Sequence, residues 1–135
     1  MKRITLIAVA ALLCISAFGQ EQPLTPEQKE KQMYENIQKQ VDDMATRLDL
    51  EDWQIFYADS ILTTNFGALA REFEVLQKQR VSDVEVYSRL QDDCMEKNYN
   101  AFHAILSEQQ WAKYLKTGAA REKKARDKRA AKRAK

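Results

Sequence analysis

Glycine and proline are almost absent from most of this sequence. After residue 19 the chain contains only Gly67, Gly118, Pro23 and Pro26, and both prolines precede the first long amphipathic segment. Because strand ends and tight hairpins depend on such residues, the sequence leaves little scope for a β-sheet. We therefore predict an all-α fold, an elongated bundle of about four helices that includes a long helical hairpin.

Apolar residues recur at helical spacing along the chain. The first stripe consists of Met33, Ile37, Val41, Met44 and Leu48. A second helix of about 28 residues begins near Leu50 and Trp53 and has the heptad-like register of a coiled coil: Ile55, Leu62, Phe66, Leu69, Phe73 and Leu76, widened by Phe56 and Ile61. Ser82 is the predicted cap of a third helix, whose face carries Val84, Tyr87, Leu90, Cys94, Ala101, Phe102 and Ile105. A fourth helix carries Trp111, Tyr114 and Leu115.

The N-terminal residues have the three parts of a secretory signal peptide. Lys2 and Arg3 precede an uncharged apolar run over residues 4–15, and small residues stand at the two required positions before a cut at Gln20. A run of about 12 residues is too short to span a bilayer, which needs roughly 20. We predict that residues 1–19 are removed on export and that the protein works in a bacterial periplasm.

Charge divides the rest of the chain into two parts. Residues 20–117 contain 11 Lys/Arg and 18 Asp/Glu, whereas residues 118–135 contain nine Lys/Arg and two Asp/Glu. The first part is the predicted helical domain. The basic tail has no apolar stripe to bury, so we expect it to be solvated and frayed. It could contact anionic membrane surfaces weakly or attract acidic clients, whereas export and the lack of interleaved aromatic residues argue against nucleic acid.

The long helices carry narrow apolar stripes, so a single copy has little core for its surface. On the second helix, four residues have no evident intramolecular partner: Phe66, Leu69, Phe73 and Leu76. We predict that this surface forms an antiparallel homodimer and leaves some apolar area for clients.

Residues suited to catalysis or metal binding are scarce. His103 is the only histidine, and Cys94 lies about 13 Å from it along one helix, too far for a hydrogen bond. Asp93, Glu96, Asn100 and His103 share one side of the third helix but span about 15 Å, so one ion cannot bind all four. We interpret this side as a solvated polar face and predict no enzymatic activity and no cofactor.

Three predicted helix starts share one pattern. In each, a leucine precedes the capping residue, and a glutamine at the third helical position can reach back to the cap. The copies contain Leu24, Thr25 and Gln28; then Leu50, Glu51 and Gln54; and finally Leu106, Ser107 and Gln110.

These motifs resemble the Leu-Thr-x-x-Gln helix starts of the Spy/CpxP family of periplasmic proteins. The copy from Leu106 to Gln110, followed by Trp111-Ala112-Lys113-Tyr114, is the most similar. The resemblance covers about Leu48 to Leu115 and extends to the basic tail. The alternative is an unrelated secreted helical bundle with well-capped helices.

The resemblance implies a thin, cradle-shaped antiparallel dimer. Spy-like members bind unfolding clients without ATP, CpxP-like members bind the sensor domain of an envelope-stress kinase, and other relatives bind metal ions. We therefore expect an ATP-independent chaperone or stress-response accessory whose partners are unfolded or envelope proteins. The alternative is a regulatory or metal-sensing protein with one defined partner, and a structural surface protein is a third possibility.

Overall fold

The computed structural model describes residues 22–135, and every regular element in this range is a helix. The α-helices are α1 (Pro26–Leu48), α2 (Asp52–Lys78), α3 (Val84–Ile105), α4 (Glu108–Tyr114) and α5 (Ala120–Arg133), and a short π-helical segment, Leu115–Ala119, joins α4 to α5. The predicted all-α bundle is therefore confirmed. The predicted signal peptide, residues 1–19, lies outside the described residues, and none of the described helices is long and apolar enough to cross a membrane.

Neighbouring long helices run antiparallel. The turn after α1 brings Asp59 of α2 within 2.7 Å of Gln38, and the turn after α2 brings Asn98 of α3 within 2.7 Å of Asn65. Helix α2 consequently packs between α1 and α3, while α4 contacts α1 and α5 contacts α3. This arrangement contains the predicted long hairpin, formed by α2 and α3.

The core lies where α1, α2 and the C-terminal part of α3 meet. The predicted α1 stripe is buried at four of its five positions, Ile37, Val41, Met44 and Leu48. These side chains form one cluster with Ala58 and Leu62 of α2 and Phe102 of α3. Burial of such side chains contributes about 1.5–3 kcal/mol each. The recurrence of apolar residues every three or four positions along α1 was enough to predict this face.

All three glutamines of the repeated motif cap a helix as predicted. Each side-chain oxygen accepts a hydrogen bond of 2.9 Å from the backbone N–H of the N-cap residue: Gln28 from Thr25, Gln54 from Glu51, and Gln110 from Ser107. The hydroxyls of Thr25 and Ser107 accept the reciprocal bonds at 3.2 Å. These bonds satisfy backbone donors that the first helical turn leaves without a partner.

Two predictions around the α2–α3 turn are wrong. Asp83, rather than Ser82, caps α3, since its carboxylate accepts a 2.9 Å hydrogen bond from the N–H of Glu85. Val84 is 78% exposed and lies outside the apolar face of α3. As the first residue of the helix, it lies on the turn, beyond the part of α3 that α2 covers.

The predicted frayed tail is instead a helix that packs along α3. Gly118 has a φ of 107°, a conformation that costs glycine little but strains other residues. The helical path bends there, and α5 then runs antiparallel to α3. Its only buried residue is Arg126, so charge rather than apolar burial holds it in place.

Candidate interaction surfaces

The second and third motif copies meet through their glutamines. Nε2 of Gln54 lies 2.7 Å from Oε1 of Gln110, and Nε2 of Gln110 lies 2.8 Å from Oε1 of Gln54. The same amide nitrogens also donate to backbone carbonyls, Gln54 to Ile105 at 2.9 Å and Gln110 to Asp49 at 3.2 Å. We call this reciprocal pair and its carbonyl partners the motif junction. It ties the start of α2 to the start of α4.

The motif junction is a structural joint with few polar groups left for a ligand. Lys113 reinforces it with a 2.8 Å ion pair to Asp49, and this hydrogen bond lowers the pKa of the Asp49 carboxyl. The motif leucines Leu50 and Leu106 pack against the core beside it. The first copy takes no part, because Leu24 is exposed and its capping box faces solvent.

An exposed aromatic cluster lies on α2 next to the motif junction. Trp53, Phe56 and Tyr57 are 48%, 70% and 51% exposed. Tyr57 makes edge contacts with both neighbours, with ring centroids 6.1 Å from Trp53 and 5.7 Å from Phe56. We call these three residues the α2 aromatic patch. The indole of Trp53 donates a 2.6 Å hydrogen bond to the carboxylate of Glu51, which holds one edge of the patch.

This patch was not expected from the sequence, and the prediction that Phe56 widens the buried stripe of α2 is wrong. At about 100° per residue, Trp53, Phe56 and Tyr57 project from the side of the helix opposite to Leu62. The signal was therefore present in the helical spacing. The apolar character of Phe56 concealed it, since a large apolar residue on an amphipathic helix is usually assigned to the core.

The four residues predicted to form the dimer or client surface are all half-buried within one chain. Phe66 packs against the core, and Phe73 makes an edge contact with Tyr87 of α3 at a centroid distance of 5.2 Å. Leu69 and Leu76 lie on the same side of α2. Helix α3 thus covers part of the apolar surface that has no evident partner in the sequence.

A cavity of about 310 Å³ lies among α1, α3 and the bend at Gly118. Its lining includes Met44, Phe102 and Tyr114, and burial raises the pKa of the Tyr114 hydroxyl. Asn98 also lines it; its Oδ1 accepts the bond from Asn65, while its Nδ2 has no partner among the described side chains. The cavity is amphipathic and partly open to solvent.

Helix α5 is held on α3 by a row of ion pairs. Arg126 bonds to Glu96 at 3.2 Å, Arg129 forms two bonds to Asp92 at 2.7 and 2.9 Å, and Arg133 bonds to Asp92 at 2.9 Å. A further set of contacts lies along the same line: Arg133 to Glu85, Arg133 to Ser88, and Lys123 to Glu96. The Arg129 hydrogen bonds, followed by those of Arg133, lower the pKa of Asp92.

Two of the four residues on the polar face of α3 make other contacts. Glu96 pairs with cations of α5, and His103 stacks on Trp111 at a centroid distance of 4.3 Å. Residues 22–135 contain no group of three or more His, Cys, Asp or Glu side chains that could hold a metal ion. Cys94 is buried, its thiol lies 3.5 Å from the carbonyl of Asn65, and burial raises its pKa.

Comparison with known proteins identifies no relative: no family model, curated protein or solved structure matches this chain. The resemblance to the Spy/CpxP family therefore rests on the helix-start motifs.

Proposed function

We propose that this protein is an ATP-independent periplasmic chaperone or envelope-stress accessory protein that binds exposed segments of unfolded proteins. The observation that carries the proposal is the α2 aromatic patch. Large apolar side chains that are exposed together and bordered by charge usually belong to an interaction surface. Export to the periplasm rests on the signal peptide predicted at residues 1–19.

The position of the patch favours weak and reversible binding. Helix α2 is packed by α1 on one side and α3 on the other, so the patch is held on a rigid element before any client arrives. Aromatic side chains offer large contact area at a low cost in conformational entropy. Because the patch is a convex helix surface, a client would be held by shallow contacts and could leave again.

Charge around the patch favours clients with cationic residues. Glu51 contacts Trp53 directly, Asp52 precedes it on the chain, and Asp59 lies one turn further along α2. The described chain before Gly118 has many more acidic than basic residues. Such a field raises the rate of encounter with basic segments and is screened by salt.

An aggregation assay with matched variants tests the proposal. The double variant Phe56→Gln, Tyr57→Gln removes most of the exposed aromatic area, while Val75→Gln, Val84→Gln removes exposed apolar area at the opposite end of the hairpin. We expect the wild-type protein to delay the aggregation of several unrelated unfolded clients without ATP. The first double variant should lose most of this effect and the second should keep it, at unchanged helical circular dichroism.

Other outcomes contradict the proposal. A folded wild-type protein that delays the aggregation of no client is not a chaperone of this kind, and saturable binding to one partner or ion would support the regulatory or metal-sensing alternative. Equal loss by both double variants would show that the α2 aromatic patch is not the client surface.

A further inference from the structure

The cations of α5 are divided between two faces of the helix. Arg126, Arg129 and Arg133 point toward α3 and bond to its carboxylates. Lys124, Lys128 and Lys132 are exposed and, at about 100° per residue, lie on the opposite side of the helix. We call these three residues the lysine face. Two further cations of α5 do not follow a division by residue type, since Lys123 pairs with Glu96 of α3 and Arg121 is exposed beside Glu122.

The lysine face has no internal counter-charge among residues 22–135. None of its three ammonium groups lies within ion-pair distance of a described carboxylate, and Asp127, the nearest acidic residue along the helix, bonds to Lys123 at 2.6 Å. Like charges four residues apart disfavour a helix by a few tenths of a kcal/mol per pair. The face therefore carries an uncompensated repulsion that an external anionic surface would relieve.

We propose that the lysine face is a peripheral docking surface for an anionic lipid membrane. The ion pairs with α3 keep α5 helical, so three cations are presented in a row about 12 Å long without any ordering on binding. The residues between them on this side are the small Ala125 and Ala131, and Asp127, which bonds to Lys123, lies at its edge. Such a face offers no aromatic ring for bases, no groove for a peptide and no apolar side chain for insertion, which leaves attraction to a charged surface.

Docking of this kind would concentrate the protein where unfolded envelope proteins meet the membrane. It extends the proposed function but does not depend on it, because the lysine face is on α5 and the α2 aromatic patch is on α2. Each lysine near an anionic surface contributes about a fivefold gain in binding, so the three together should contribute roughly 100-fold.

Vesicle co-sedimentation of the full chain tests the proposal. Vesicles with about 30% phosphatidylglycerol are compared with neutral phosphatidylcholine vesicles, and the measured quantity is the excess binding to the anionic ones. The variant is Lys124→Gln, Lys128→Gln, Lys132→Gln. The matched control, Lys29→Gln, Lys39→Gln, Lys97→Gln, removes the same charge from exposed positions on α1 and α3. Residues 1–21 are identical in all three proteins and contribute equally.

We expect the wild-type protein and the control to show similar excess binding that falls steeply between about 0.1 and 0.5 M NaCl. The lysine-face variant should lose roughly 100-fold. Equal loss in the control, no loss in the variant, or no excess binding by the wild-type protein would overturn the proposal. Lysine-dependent binding to polyglutamate without binding to vesicles would also overturn it and would indicate an acidic protein partner. The aggregation assay, run on the same variants, reports on the proposed function separately.

Discussion

At the scale of single residues, the motif junction shows how a local capping residue acquires a tertiary role. A glutamine that caps its own helix uses only its side-chain oxygen, and the NH₂ group remains available. Gln54 and Gln110 use this second group to bond to each other and to the carbonyls of Ile105 and Asp49. Gln54 is only 3% exposed, so its partner satisfies polar atoms that water reaches poorly.

Gln110→Ala is expected to destabilise the fold more than a lost cap alone. The substitution removes the bond to Ser107 and leaves the buried amide of Gln54 with one partner fewer, for an expected loss of about 2 kcal/mol in the free energy of unfolding. The control is Gln28→Ala, which removes the equivalent capping bond at an exposed site and should cost less than about 1 kcal/mol. Urea denaturation of both variants measures the two losses in the free energy of unfolding. Equal losses would mean that the bonds between Gln54 and Gln110 do not contribute to stability.

The thiol of Cys94 is expected to be unreactive in the folded protein. Its side chain is buried, and burial holds its pKa above the ordinary value because a thiolate would lose solvation. Iodoacetamide at pH 8 should therefore label Cys94 only after denaturation, as measured by mass spectrometry. Rapid labelling of the native protein would show that α2 and α3 separate readily at this position.

At the scale of helices, α5 is the clearest case in which the sequence could not be interpreted one segment at a time. Its own residues offer no apolar stripe, and a solvated, frayed segment follows from that alone. The acidic residues that hold it, Glu85, Asp92 and Glu96, belong to another helix. Their match in spacing with Arg126, Arg129 and Arg133 becomes visible only when the two helices are known to be antiparallel neighbours.

The other helices were more predictable because their determinants are local. The α1 stripe and the three capping glutamines depend on spacings of three and four residues, and the structure has both. The start of α3 was misplaced because Ser82 and Asp83 are adjacent and both can cap a helix. The α2 aromatic patch was missed although helical spacing places it opposite Leu62, because Phe56 is apolar and was assigned to the core. The motif junction was missed because it depends on a contact between residues 56 apart in sequence.

Asp92→Asn is expected to loosen α5 from α3. It removes the charge shared by Arg129 and Arg133, and we expect a loss of roughly 1 kcal/mol in the opening free energy, a modest value because Arg129 is partly exposed. Amide hydrogen exchange in residues 120–133 should become about fivefold faster. Asp93→Asn is the matched control, because Asp93 is exposed and makes no ion pair among the described residues; the same acceleration there would contradict the assignment.

The ion pairs also determine how α5 responds to pH. The pKa of Asp92 is lowered in the folded protein, so its contribution to docking is fully present above its ordinary pKa of about 3.9 and is lost as the pH falls through the lowered value. Helix α5 should therefore stay docked at pH 5 and come off α3 only in stronger acid. Exchange protection in α5 that already disappears at pH 5 would contradict this.

At the scale of the whole molecule, the predicted antiparallel homodimer places the free sides of Leu69 and Leu76 against a second copy. Leu69→Asp would put an unpaired charge in that contact and should convert a dimer to a monomer in sedimentation equilibrium. Ala70→Asp, at the exposed neighbouring position, is the control and should leave the dimer intact. A wild-type protein that is monomeric at high micromolar concentration would contradict the dimer. The hydrophobic core would then be formed within a single chain.

The motif junction also has a kinetic consequence. The capping bonds of Gln54 and Gln110 join residues three apart in sequence, so they can form within a nascent helix on the microsecond scale. The bond between the two amides joins residues 56 apart and must wait until the chain between them has closed into a loop. Each glutamine therefore takes part in an early and a late event of folding. Substitution of either glutamine should both slow folding and speed unfolding. The measured φ-values at these two positions should therefore lie between 0 and 1.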